Sequence, residues 1–375
     1  MRLSLPQVSI LNQIKQTNRP ERVLRIGNKS IGDAYPTYFI ADIAANHDGN
    51  LERAKDLIYL AAEAGADAAK FQHFKADTIV SDPGFKALGG QQSHQAKWKK
   101  SVVEVYRDAS VPELWTRTLK ETCDKAGVCF FTSPYDIALV DHIDPYVPAF
   151  KIGSGEITWL EIIEHIAAKQ KPYMIASGAS SMDDVDRAVQ AALAINPRLA
   201  LMQCNTNYTA QLENFKYIQL NVLKSYRAMY PDMVLGLSDH TPGWATVLGA
   251  VALGARMIEK HFTDDTAREG PDHGFSMNPR AWRAMVDASR ELELAMGNGI
   301  KRVEPNEIQT AVLQRRAVRL ALDLAAGSVL AREQLNVLRP CPADAISPAH
   351  LDHIQGKKLM RNKKSGDYLR WSDLE

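Results

Sequence analysis

From residue 38 onward, short apolar runs alternate with longer stretches whose apolar residues recur at helical spacing. The strands predicted are YFIADIA (38–44), ADAAKF (66–71), VCFFT (128–132), PAFKIG (148–153), PYMIA (172–176), LALMQC (199–204), MVLGLS (233–238) and ARMIEK (255–260). Most are nearly continuous in apolar residues, the signature of strands covered on both faces. Between them lie helical stretches such as LERAKDLIYLAAEAG (51–65), SMDDVDRAVQAALAI (181–195) and WATVLGAVALGA (244–255). In the first, Leu51, Ala54, Leu57, Ile58 and Ala61 form one stripe, and Gly65 is a candidate C-cap. Eight alternations in roughly 260 residues fit an α/β chain folded as a (β/α)8 TIM barrel. A doubly wound open sheet is the competing arrangement.

The rest of the chain departs from this rhythm. Residues 1–21 read as a polar extension, and VLRIGNKSIG (23–32) as a hairpin around Gly27-Asn28 that opens the barrel domain, residues 22–297. The Gly-, Gln- and Lys-rich segment 75–110 is either a lid over the barrel or an irregular insertion. Residues 298–312 have a charged, turn-like linker composition, and 313–375 break into short strand-like pieces, a small β-rich second domain.

Composition removes several classes of function. The 375 residues are 45% hydrophobic and carry a formal charge of +1, with no basic stripe for nucleic acid and no run long enough to span a membrane. Anionic substrates would need positive charge gathered in a pocket. The four cysteines lack CxxC spacing, so neither a zinc ribbon nor a redox pair is suggested, and buried thiols in a reducing compartment are expected. Without a signal-like N-terminus, the expected location is the cytoplasm.

In a barrel the strand ends feed the loops of the active mouth. This places Asp42, Asn46 and His47 after the first strand, Lys70 and Gln72 at the second, and Lys151, Ser154 and Glu156 at the fourth. Ser177 follows the fifth; Asn205, Thr206 and Tyr208 the sixth; Ser238, Asp239 and His240 the seventh; Glu259, Lys260 and His261 the eighth. His240 and His261 end neighbouring strands and could share a divalent ion such as Mn²⁺, Zn²⁺ or Fe²⁺, with Asp42 as a further ligand or base. They could equally be two unrelated, hydrogen-bonded histidines. Lys70 and Lys151 at inner strand ends call for an anion, of substrate or of neighbouring acids. Glu156 is either a helix N-terminal acid or an acid beside that anion site. Asp272, in the loop GPDHGF, either binds sugar hydroxyls or belongs to a simple turn.

These motifs resemble those of the sialic acid synthase family, which condenses phosphoenolpyruvate with N-acetylmannosamine or related aldoses. The matching stretches are IADIAANHDGN, GADAAKFQ, FKIGSGE, QCNTNY, GLSDHTPG, EKHFT and GPDH, in the family's order. The tail, with GSVLAREQLNVLRP, GKKLMR and SGDYLRWSDLE, resembles the family's antifreeze-like, or SAF, domain.

The resemblance implies roles. His240 and His261 would hold Mn²⁺ or Mg²⁺. Lys70, Lys151, Ser154, Ser177 and Ser238 would grip phosphoenolpyruvate, with Lys151 also in the catalytic group, and Glu156 would serve turnover. Gln72, Thr206, Tyr208 and Asp272 would line the substrates. Arg339 would reach the sugar of a second chain in a domain-swapped homodimer. Three departures qualify this. Asp42 stands where the family has Glu, so the carboxylate here is one methylene shorter. Thr209 replaces a Pro, and RPCPADAISP follows a pattern unlike the family's glycine-rich version. The last two point to an aldose other than unmodified N-acetylmannosamine.

Overall fold

The computed structural model describes residues 22–89, 95–96 and 98–375. The expected extension 1–21 and part of the 75–110 segment lie outside the described residues. The chain divides into two compact units, Met1–Gly297 and Asn298–Glu375.

The first unit opens with an antiparallel hairpin, β1 (Val23–Ile26) and β2 (Lys29–Gly32), turning at Gly27-Asn28. Eight parallel strands follow: β3 (Tyr38–Asp42), β4 (Ala68–His73), β5 (Cys129–Pro134), β6 (Phe150–Ile152), β7 (Tyr173–Ala176), β8 (Leu199–Cys204), β9 (Val234–Asp239) and β10 (Met257–His261). Their order is β5-β4-β3-β10-β9-β8-β7-β6, and β5 lies beside β6, so the sheet curls into a nearly closed TIM-like barrel. The first strand pairs with the last, with His261 opposite Asp42. An open doubly wound sheet is thereby excluded.

Alternation along the strands builds two cores. Outward residues such as Phe39, Phe71, Phe130, Ile175 and Ile258 pack on the helices. Inward residues of the lower strand halves, including Tyr38, Phe131, Met174, Met202 and Met257, form a second cluster with Leu24, Ile26 and Ile31 of the hairpin. The hairpin thus plugs one end of the cylinder with apolar side chains and leaves the other end for chemistry.

Helix boundaries follow local cues. Leu51–Glu63 starts at Asn50, whose side chain accepts from Arg53 N, and buries Ala54, Leu57, Ile58 and Ala61. Its cap is Ala64; Gly65 lies one residue further, at φ +93, where a side chain would be strained. Met182–Leu193 begins with a Ser181/Asp184 capping box. The 75–110 segment carries helices Ala76–Ile79, Asp82–Ala87 and Val102–Ala109.

In the second unit β11 (Ala317–Leu320) pairs antiparallel with β12 (Leu335–Leu338), and isolated bridges join Val329 to Lys358 and Leu359 to Leu374. The expected linker is partly ordered, since its end enters the helix Ile308–Gln314. All four cysteines are free; Cys123 and Cys204 are buried, but Cys129 and Cys341 only half so. Among the described residues no helix is long and apolar enough to cross a membrane.

Candidate active site

The mouth of the barrel is built from side chains that alternate strand geometry turns inward. On β10, Glu259 and His261 face the interior while Lys260 faces the helices, where it meets Asp239 at 2.5 Å and the Thr241 carbonyl at 2.6 Å. This outer ion pair fixes the loop carrying His240.

Glu259 is the hub. Its Oε1 lies 3.2 Å from Lys151 Nζ, 3.6 Å from Lys70 Nζ and 3.2 Å from Ser238 Oγ. Lys70 also reaches Asp42 Oδ2 at 2.6 Å. All four charged groups are at most 4% exposed. Burial alone would lower the Lys70 ammonium, but Asp42 and Glu259 outweigh it and raise the group above its ordinary value. Burial pushes Glu259 the opposite way, yet the two lysines hold its carboxyl down at about 2. The lysines therefore do pair with neighbouring acids, and they also converge at one point. Those two readings are compatible.

Asp42 is a clamp. Its Oδ2 accepts from Lys70 and from Gln72 Nε2 at 3.1 Å, its Oδ1 from Ala44 N at 3.1 Å, and His261 Nε2 stands 3.5 Å away. Glu156 differs. It closes a short 3-10 turn at Ser154–Glu156, outside any longer helix, and its buried Oε2 has no hydrogen-bond partner. Burial raises its carboxyl to about 7, only partly offset by its own backbone N–H and by Lys151. Asp272 is likewise raised by burial to about 7, although Ala45 N donates to it at 3.1 Å.

His240 and His261 sit with ring centroids 5.3 Å apart, in an aromatic nest with Tyr208 and Phe275. Burial lowers both imidazoles, leaving them neutral near pH 7. His240 Nδ1 faces the Asn205 carbonyl at 3.1 Å. His261 Nδ1 is buried without a hydrogen bond, with Asp272 3.9 Å away. Two neutral imidazoles, one with an orphaned nitrogen, suit a divalent ion. No group of three His, Cys, Asp or Glu closes around one point among the described residues. A bound ion would therefore draw its other ligands from water or substrate.

Ser154, Cys204 and Thr206 form a hydroxyl–thiol cluster against Gly178. Ser154 Oγ is 3.4 Å from Cys204 Sγ. A Cβ on Gly178 would stand 2.9 Å from Ser154 Oγ and 3.1 Å from Cys204 Sγ, and closer still to Thr206 Oγ1. Ser177, like Asp239 and Lys260, turns away from the mouth. Its hydroxyl hydrogen-bonds β8, 3.1 Å from Met202 O and 3.3 Å from Gln203 Oε1, because position 177 continues the outward face of β7. Thr209 is clasped with Asn207 and Asn214, so the departure at this position is a polar loop lock. Asn46 and His47 are fully buried, and the Asn46 amide ties the Phe262 carbonyl to Ser276. Arg339 lies exposed in the second unit, its Nε donating to the Gln314 carbonyl at 2.7 Å.

Glu259 and Phe275 were not singled out for a role by the sequence. Glu259 carried a signal, its place two residues before His261 on the same face of one strand. Phe275 carried none. The polar cluster opens into a chamber of about 340 Å³ lined by Gln72, Ser154, Glu156, Thr206, Tyr208, His261 and Asp272.

Paired lysines, a histidine pair and buried protonatable acids thus meet at the mouth of a TIM-like barrel. The chain belongs to the NeuB family, whose model matches residues 57–301; the SAF domain model matches 315–375. It is 33% identical to the N,N'-diacetyllegionaminic acid synthase of Legionella pneumophila, over 93% of this chain and 98% of that one. It is 31% identical to the human N-acetylneuraminate-9-phosphate synthase, over 90% and 93% of the two chains. The crystal structure of the N-acetylneuraminic acid synthetase from Leptospira borgpetersenii, in complex with citrate, superposes with a TM-score of 0.67 at 25% identity, covering 77% of this chain and 95% of that one. The family is thus that of the nonulosonic acid synthases.

Proposed function

We propose that the chain condenses phosphoenolpyruvate with an N-acyl amino-sugar aldose to give a nine-carbon sugar acid, releasing phosphate by C–O cleavage. The observation that carries this reading is Glu259 shared by Lys70 and Lys151 beside the neutral histidine pair. Two buried ammonium groups that converge on one carboxylate are preorganised for an anion, because the acid fixes their positions before the substrate arrives.

Lys70 and Lys151, with the hydroxyls of Ser154 and Ser238, would bind the phosphate and carboxylate and fix C3 against the aldehyde carbon. C3 forms the new C–C bond, and the aldehyde oxygen takes a proton. Water adds its oxygen to C2 and gives up a proton; the C2–O bond to phosphorus then breaks, leaving a keto group and inorganic phosphate. Glu156 suits the proton transfers better than Asp42, because its Oε2 has no partner whereas Asp42 is engaged on both oxygens. Mn²⁺ or Mg²⁺, held by His240 and His261, would supply Lewis-acid polarisation of the aldehyde oxygen. Gln72, Thr206, Tyr208 and Asp272 would surround the sugar.

A domain-swapped homodimer, with Arg339 reaching the sugar of the other chain, is part of the proposal. Exposed Ile308 and Leu313 on the helix preceding β11 are consistent with burial against a second copy. The four free thiols suit the cytoplasm. The deciding experiment supplies phosphoenolpyruvate labelled with ¹⁸O at the bridging oxygen, plus Mn²⁺ and 2-acetamido hexoses. Label recovered in phosphate is expected; label retained in the sugar acid would overturn C–O cleavage.

A further inference from the structure

The chamber has a second wall that the chemistry above does not use. Phe74 and Tyr106 stand with ring centroids 5.4 Å apart, Trp98 lies 6.4 Å beyond Tyr106, and Tyr135 lies 5.9 Å from Phe74 on the other side. These four rings make a continuous ladder. Its inner end is at Glu156: a Cβ placed on Gly153 would meet both Glu156 Oε2, at 2.6 Å, and the Tyr135 hydroxyl, at 3.1 Å. Its outer end, Trp98, lines both the inner chamber and an adjoining vestibule of about 900 Å³. Two of the four rings, Tyr106 and Trp98, come from the 75–110 segment.

The vestibule is charged but balanced. Its lining pairs Lys99 with Glu269 at 3.1 Å, Lys100 with Asp108 at 2.6 Å, and Arg268 with Asp48 at 2.8 Å. Among the described lining residues three cations face three carboxylates, so these side chains carry no excess positive charge to attract a dianion. A phosphate placed there would meet as many carboxylates as cations. An uncharged group with an apolar surface suits rings and balanced charge alike.

We propose that the ladder Trp98–Tyr106–Phe74–Tyr135 is the specificity wall for the acceptor, selecting an uncharged aldose whose apolar acyl substituent lies along the rings and excluding a phosphorylated one. The inference rests on the synthase reading above. It assigns the 75–110 segment to substrate selection: the segment supplies half the wall. The reacting aldehyde lies on the polar side of the chamber, by Glu156 and His261. The acyl group runs outward from there along the rings.

The test measures kcat/KM for the full chain with Mn²⁺, phosphoenolpyruvate and four acceptors: N-acetyl-, N-propanoyl- and N-butanoylmannosamine, and the 6-phosphate of the first. The wild type is expected to prefer the longer acyl groups and to discriminate against the phosphate by about tenfold or more. In Tyr106→Ala and Trp98→Ala the preference for longer chains should shrink about tenfold. Both rings are partly exposed, and a melting curve with the wild-type midpoint certifies the fold of each variant. Phosphorylated acceptor favoured by the wild type, or an acyl-length preference retained in both folded variants, would overturn the wall. Absence of phosphate release with all four acceptors and with the wider set of 2-acetamido hexoses would instead sink the synthase reading itself, and the wall with it.

Discussion

Replacing Glu259 by Gln tests the charge arrangement at the barrel mouth directly. The wild-type site balances two buried ammonium groups, Lys70 and Lys151, against two carboxylates, Asp42 and Glu259. Glu259→Gln removes one negative charge at 3.2 Å from Lys151 and 3.6 Å from Lys70. At an effective dielectric of about 20, each of those attractions has a gross Coulomb energy of about 5 kcal/mol. The net effect is smaller, since the wild-type pair also carries desolvation cost. Breaking a buried pair typically destabilises by about 3–5 kcal/mol. Lys70 keeps Asp42 and the amide keeps an acceptor for Ser238, so the lower end, about 3 kcal/mol, is expected. The melting midpoint should fall by several degrees. Inorganic phosphate should then stabilise the variant more than the wild type, because the uncompensated positive charge finds its counter-ion in the ligand. Turnover should drop on the order of a hundredfold, because the lysines lose their common anchor. Differential scanning calorimetry with and without phosphate, together with phosphate-release kinetics, reads all three effects. A variant that melts with the wild type and gains no extra stabilisation from phosphate would refute the shared-carboxylate account.

Two further outcomes follow from the same site. Glu156 has a folded-state pKa of about 7, above its ordinary value of 4.5, so the native protein holds this proton more tightly than the unfolded chain does. Its contribution to stability is fully favourable below about pH 4.5 and is lost as pH rises towards 7. Glu156→Gln should therefore raise the melting midpoint at pH 8 but leave it nearly unchanged at pH 4.5, while turnover collapses; an equal shift at both pH values would contradict the raised carboxyl. For the histidine pair, Mn²⁺ should raise the melting midpoint of the wild type, EDTA should reverse it, and His261→Ala should lose both the shift and turnover while keeping the wild-type circular dichroism. A Mn²⁺ shift of undiminished size in that variant would remove His261 from the ion's ligands.

The sequence made the barrel legible because each strand is both short and apolar and the helices between them carry separate periodicity. The strand LALMQC matches β8 residue for residue, while other ends shift by one or two positions. Most strands start late because the apolar run begins ahead of the ladder, whereas β4, β5, β9 and β10 end late because pairing continues into residues beyond the run. The convergence of Lys70, Lys151, His240 and His261 could be reasoned from strand-end logic alone. The helix Ile308–Gln314 could not, because its charged, Pro-containing approach masks a short element whose apolar residues are exposed. The orientation of Ser177 was not legible. Placement after a strand says nothing about which way the side chain turns, and position 177 inherits the outward face. Glu259 was visible but unassigned, because a lone acid on a strand acquires meaning only when two lysines from distant strands arrive beside it.

β10 has a consequence for how the chain reaches its native state. Three successive residues, Glu259, Lys260 and His261, send their side chains in, out and in, and each finds a partner only in that setting. Sliding the strand by one position would drive the Lys260 ammonium into the cylinder and strand Glu259 among the aliphatic helices. The charged residues at the mouth therefore help specify the register of the last strand against its neighbours.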